Sequence, residues 1–128
     1  MRHNNTPCDS CHKRITVKKI NDEIKKSDGA IIFGIPQIKI NDAMYKPKTP
    51  NESLISDVCL STPWNQIEAA IAYAHDIPMM IICDNGIQDG FFENSTSGNF
   101  VQRYNLKSSS WTENEQFLQI ADEWLKKL

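Results

Sequence analysis

The sequence predicts one α/β domain with a small, mostly parallel sheet, spanning residues 1–128. Three observations point there. Ala30–Ile35 and Met79–Cys83 are short, unbroken apolar runs rich in β-branched and aromatic or thioether side chains, the pattern of strands covered on both faces. An alanine-rich segment with a clear helix start lies between them, so strand, helix and strand follow in the order of a crossover unit. The chain has 128 residues, 40% apolar and 23% charged, which matches a single core and leaves no room for two.

Each element has a local reason. From Thr16 to Ser27, Val17, Ile20 and Ile24 recur every three or four residues among Lys, Asp and Glu, the stripe of a short amphipathic helix that Ser27-Asp28-Gly29 ends. Ala30–Ile35 is a strand stopped by Pro36. Residues 41–60 mix Asn, Asp, Lys, Pro and Ser without a sustained period, and predict a long connection of the kind that often carries function. Ser61-Thr62-Pro63 supplies a capping hydroxyl and a first-turn proline, and the helix runs on through Ala74 with Ile67, Ala70, Ile71 and Ala74 on one face. Asp76 and Pro78 end it and lead into the strand Met79–Cys83, stopped at Asp84-Asn85-Gly86. Phe91–Gly98 is read as a polar loop and Phe100–Leu106 as a short strand. From Thr112 onward, Phe117, Ile120, Ala121, Trp124 and Leu128 form the stripe of a terminal helix, acidic early and basic late. Residues 1–15 are expected to form a mobile N-terminal segment. Two strands are few for a doubly wound sheet, so further strands or a second copy of the chain are expected to complete it.

Composition bounds the partners. Fourteen basic and sixteen acidic side chains give a net charge of −2, so no global positive field draws the chain to phosphate backbones, and no nucleic-acid partner is expected. The apolar runs are far shorter than the roughly 20 residues of a spanning helix, so no membrane partner is expected either. Met1–Pro7 lacks the apolar stretch of a signal peptide, and a cytoplasmic location with free thiols follows as an expectation.

In open α/β sheets, ligands collect beyond the carboxyl ends of the strands. That rule gathers Gly34–Gln37 with Pro36, the helix start Ser61–Glu68, and the turn Asp84–Gly86 with Asn85. The helix start offers free N–H groups, and Ser61 and Thr62 add hydroxyls, which could receive phosphate or ribose oxygens or simply cap the helix. Glu68 lies one turn past Trp64. A carboxylate there, facing the crevice beside an aromatic wall, could stabilise or attack the positive charge that builds at an anomeric carbon as an N-glycosidic bond breaks. The plainer alternative is a solvated Glu68 and a core Trp64.

Other motifs point less far. Cys8-Asp9-Ser10-Cys11-His12 has the spacing of a haem attachment, but without an export signal no haem is expected. No metal is expected either: Cys8 and Cys11 with His12 and His3 could hold zinc, but no second ligand pair follows at the right spacing. Cys83 ends an apolar strand and packs as a small hydrophobe. His75 suits the end of the central helix, and Arg103 and Lys46 read as solvated cations that could otherwise neutralise phosphate.

The stretch from Ser61 to Ile82, with Trp64, Glu68 and Ala72 four residues apart and an apolar strand after Pro78, resembles the Trp-x-x-x-Glu-x-x-x-Ala helix and following strand of TIR-like domains. It is also similar to the Glu-x-Gly-Tyr-Ala segment of nucleoside 2-deoxyribosyltransferases, with Ala70 in place of that glycine. The resemblance implies a flavodoxin-like, three-layer fold and a nucleotide or nucleoside, with NAD among the candidates, as ligand or substrate, with no further cofactor required. It implies Glu68 as the carboxylate acting at the ribosyl carbon and Trp64 as its aromatic neighbour. Asp57, with Asp42, would parallel the transferase aspartates that hold the base, and Ser61, Thr62, Pro36 and Asn85 would complete the pocket. Those families supply part of that pocket from a first strand that is not evident before Thr16 here. Three functions stay open: cleavage or transfer at a ribose N-glycosidic bond, nucleotide sensing or sequestration without chemistry, and assembly into homo-oligomers.

Overall fold

Met79–Asp84 forms the middle strand of the molecule because nothing polar interrupts Met-Met-Ile-Ile-Cys, and Met80 to Cys83 are all buried. In the computed structural model, which describes residues 16–94 and 96–128, eight main elements follow in order. They are α1 (Val17–Lys25), β1 (Ala30–Gly34), β2 (Ile38–Tyr45), β3 (Ser53–Leu60), α2 (Pro63–Ala74), β4 (Met79–Asp84), β5 (Val101–Tyr104) and α3 (Glu115–Leu125). Short 3-10 turns sit at Gly90–Phe92 and Ser109–Glu113.

The fold is α/β, with a three-stranded parallel sheet ordered β1-β4-β5 and a separate antiparallel pair β2-β3. β1 pairs with β4 from Ala30↔Met79 to Gly34↔Cys83, and β5 with β4 from Ile81↔Val101 to Asp84↔Tyr104. Side chains alternate across a sheet, so this register sorts the core into two layers. Ile32, Ile81, Cys83 and Val101 face α2 and cluster with Ala69, Ile87 and Phe92. Phe33, Met80, Gln102 and Tyr104 face the other side, where Trp111 meets the rings of Phe33 and Tyr104, and Phe117 of α3 meets Tyr104.

The first helix and strand match expectation, with Thr16 capping α1 through a 3.1 Å bond from Lys19 N. α2 starts as expected too: Thr62 Oγ1 accepts from Asn65 N at 3.2 Å and Pro63 fills the first turn. Its buried face is not the expected one. Ala69 and Ala72 are the fully buried residues, while Ala70 and Ala74 are exposed. The smallest side chains on the sheet-facing line let the helix axis approach closely, which leaves Ile67 and Ile71 half-buried on the flanks. Asp76 (φ 56°) then turns the chain in the left-handed region, which Asp tolerates.

The expected long connection at 41–60 is instead most of a hairpin, paired from Ile38↔Leu60 to Tyr45↔Ser53. Its alternation is hard to read because neither face is well covered: no residue of either strand is buried, and Asp57 (φ 54°) breaks the extended backbone. The further strands therefore exist, but they form their own ribbon, joined to the rest by a parallel bridge Cys59↔Ile87 and by Gln37 N donating to Leu60 O at 2.9 Å. Two other expectations are corrected. Phe92, placed in a polar loop, is fully buried in the core, and the terminal helix begins at Glu115 behind an Asn114 cap, after a 3-10 turn that holds Trp111. No helix among the described residues is long and apolar enough to cross a membrane.

Candidate functional site

Beyond the carboxyl ends of β1, β4 and β5 there is a cleft of about 210 Å³, lined by Ile35, Pro36, Asp84, Leu106 and Lys107. Pro36 therefore stands where the strand-end rule places it. Asp84 is partly committed, its Oδ1 accepting from Leu106 N at 3.1 Å, and Asn85 sits in an exposed turn whose N–H donates to Tyr104 O at 3.1 Å. The start of α2 is docked to this end of the sheet by Asn65, whose Nδ2 donates to Phe33 O. Thr62 pairs with the same Asn65, so its hydroxyl is occupied as a cap.

A larger cleft, of about 520 Å³, lies between the hairpin and the connection from β4 to β5. Tyr45, Ile55, Val58 and Leu60 give it apolar walls, and Asp57 and Asp89 bring carboxylates to its lining. Behind Asp89 is a polar network that joins the helix start to the loop. Gln66 Nε2 donates to Asp89 O at 3.0 Å and to Ser61 Oγ at 3.2 Å, with Asp89 Oδ2 at 3.3 Å, while Gln66 Oε1 accepts from Phe91 N at 2.8 Å. Ser61 is buried and donates to Asp89 Oδ2 at 3.5 Å. Asp89 Oδ1 is buried without a partner, which leaves acceptor capacity for a water or a ligand hydroxyl. Gly90 (φ 58°) completes the loop: a side chain there would collide with the Gln66 amide.

The loop is locked from its other side by Arg103, which departs from the expectation of a solvated cation. Its guanidinium donates to Ile87 O and to Phe92 O and lies 3.1 Å from Cys83 Sγ. Burial pushes the Cys83 thiol up, against a smaller downward pull from Arg103. Cys83 thus packs as the small hydrophobe expected of it and stays protonated.

Glu68 is half-buried, and its carboxylate makes no hydrogen bond or ion pair with the side chains or backbone of the described residues. It lines neither of these clefts. Residues advance about 100° each around a helix, so Glu68 and Gln66 lie about 200° apart. Glu68 sits two turns before His75, whose Nε2 is 2.7 Å from Asn21 Oδ1 of α1, so its side of α2 is the α1 side. Trp64, on the first turn, is 41% exposed. The structure thus brings Asp57 to the hairpin cleft, Ser61 to the buried network behind Asp89 and Pro36 to the strand-end cleft, and it places Glu68 apart from both clefts. Lys46 is drawn to the Tyr45 ring, its Nζ 5.2 Å from the centroid. Cys8, Cys11 and His12 lie outside the described residues.

No family model, curated protein or solved structure matches this chain. The site therefore rests on geometry. The residues that sequence reading missed are Gln66 and Asp89, and the one signal that bore on them was the Gly90 that follows Asp89.

Proposed function

We propose that this domain binds a nucleoside in the cleft between the hairpin and the β4–β5 connection. The observation that carries the reading is the pairing of two carboxylates, Asp57 and Asp89, with apolar walls in a cleft of about 520 Å³, within the usual size range of small-molecule sites. Carboxylates accept hydrogen bonds from vicinal hydroxyls such as those of ribose, and Tyr45 offers a flat face to a base. No lining residue of this cleft is cationic, so a phosphate would meet two negative charges. An uncharged nucleoside fits this chemistry better than a nucleotide or NAD. A flavodoxin-like fold, as the resemblance to TIR-like and deoxyribosyltransferase-like domains implies, is compatible with the three parallel strands ordered β1-β4-β5 and with the helix α2 that precedes β4. Cleavage or transfer at the ribose N-glycosidic bond by Glu68 would need the sugar to reach the α1 side of that helix, so binding without chemistry is the reading the geometry favours.

Thermal melting with adenosine and uridine, their 5′-monophosphates and NAD tests this, because a ligand selective for the folded state raises its apparent stability. Nucleosides should raise Tm more than the charged ligands do, and Asp57→Asn or Asp89→Asn should reduce the shift. An equal response to nucleosides and monophosphates, or no response to either, sinks it. Base release that Glu68→Gln abolishes would instead establish the glycosidic chemistry.

One observation favours assembly of copies as a second role. Ile38, Met44 and Leu54 share one face of the hairpin by its register and are 54%, 44% and 79% exposed. A two-stranded ribbon is marginal without a covering layer. Sedimentation velocity across a concentration range should show self-association that Leu54→Asp weakens, and a concentration-independent monomer removes this role.

A further inference from the structure

The layer between the sheet and α3 holds a cavity that the nucleoside reading does not use. It has a volume of about 390 Å³, with Met80, Phe100, Ile120 and Trp124 as apolar walls and Gln102 in its lining. Gln102 is only 2% exposed, which is unusual for a side-chain amide. Its Oε1 accepts from Tyr104 Oη at 2.7 Å, while its Nε2 has no partner. Burial pushes the Tyr104 phenol up, so it stays a donor across the physiological range and keeps the amide turned with its NH₂ group away from it. A buried donor without an acceptor is costly, and an apolar residue of similar size would avoid the cost. The wall opposite is held in place: Trp124 Nε1 donates to Pro78 O at 3.0 Å, and its ring lies so close to Gly29 that a Cβ there would come within 2.8 Å of it.

We propose that this cavity is a second binding site, for an uncharged planar ring that carries a carbonyl acceptor, such as a lactam or an aromatic amide. The carbonyl oxygen takes the free Gln102 N–H, and the ring lies against Trp124. Glu123 and Lys127 also line the cavity with opposite signs, so neither an anion nor a cation is favoured. Met79, Asn99 and Lys127 are shared with an adjoining cleft of about 250 Å³ that runs toward Tyr73 and Asp76, which gives a substituent on the ring a path out. This site lies on the α3 side of the sheet, opposite the α2 layer, and does not depend on the nucleoside reading.

The test uses 2-pyridone, with toluene as a ring that lacks the acceptor, each titrated into the full chain and followed by the NMR signals of the Gln102 side-chain amide and the Trp124 indole N–H. 2-Pyridone should shift both signals and bind at least tenfold more tightly than toluene. Gln102→Leu should remove that preference while leaving toluene binding in place. Ile120→Trp, which fills the cavity from α3 and spares Gln102, should abolish both. Equal affinities for the two probes, 2-pyridone binding that survives Gln102→Leu unchanged, or no response of either signal to 2-pyridone would each overturn the proposal.

Discussion

β4 and the β2-β3 hairpin are both supplied with large apolar side chains, Met and Ile in the first and Ile, Met, Leu and Val in the second, yet Met80 to Cys83 are all buried and no hairpin residue is. β4 has a strand on each side and a helical layer over each face, whereas the hairpin pairs mainly with itself. Hydrogen bonding can define a ribbon, but burial needs a second layer, and the body of the protein supplies that layer only to the parallel sheet. The consequence is a division of labour. The rigid sheet carries stability, and the exposed ribbon forms one wall of the candidate site.

The comparison can be broken at its strongest point. Phe92 is fully buried beside Gly34, so close that a Cβ on the glycine would lie 2.8 Å from the phenyl ring. Phe92→Ala should cost about 3–5 kcal/mol in urea unfolding, and a loss below 1 kcal/mol would mean that the β4–β5 connection does not belong to the core. Next in size is Arg103→Met, which removes the donors to Ile87 O and Phe92 O. About 2 kcal/mol should be lost, together with amide-exchange protection confined to residues near 87–93.

The two described cysteines report on the two regions directly. Cys59 of the hairpin is half-buried and Cys83 of the sheet is buried, so alkylation followed by peptide mass mapping should label Cys59 well before Cys83. Burial holds the Cys83 thiol above its ordinary value of 9.0, so its contribution to stability is complete below that pH and is lost as pH rises through the higher folded value. The urea midpoint should therefore fall from about pH 9 upward, and Cys83→Ala should flatten the part of that fall below pH 10, where Tyr104 begins to add to it. The smallest effect belongs to the ribbon: Leu54→Ser should change stability by less than about 0.5 kcal/mol. A larger loss at low protein concentration would show that the hairpin face is covered within one chain.

Legibility followed the range of the interactions. Thr62 and Pro63 announce the start of α2 because a cap is made with residues two or three positions away. The strands at Ala30 and Met79 are visible because continuous apolarity needs no knowledge of the partner. Phe92 is hidden from a local reading, since it stands between Gly90 and a polar stretch and is buried by packing against residues distant in sequence, with Arg103, eleven residues on, holding its carbonyl. The sequence places Ser61 where a ligand oxygen could meet it, and its hydroxyl instead meets Asp89, 28 residues away. Glu68 carried the chemical reading, and its half-turn displacement from Gln66 became meaningful only once the helix face was known.

Taken by itself, the chain's order of residues determined where α1, β1, α2 and β4 begin, that two apolar strands flank a crossover helix, and that Cys83 is a packing residue. Those outcomes depend on local hydrogen bonding and on runs of apolar surface that must leave water wherever they end up. The tertiary structure alone decided which side of α2 meets the sheet, that residues 38–60 fold back on themselves, and that Gln66 and Arg103 hold the loop that brings Asp89 to the cleft. Each of these is a contact between side chains or strands brought together from a distance in sequence, and its existence turns on register and helix rotation, quantities that no local pattern encodes.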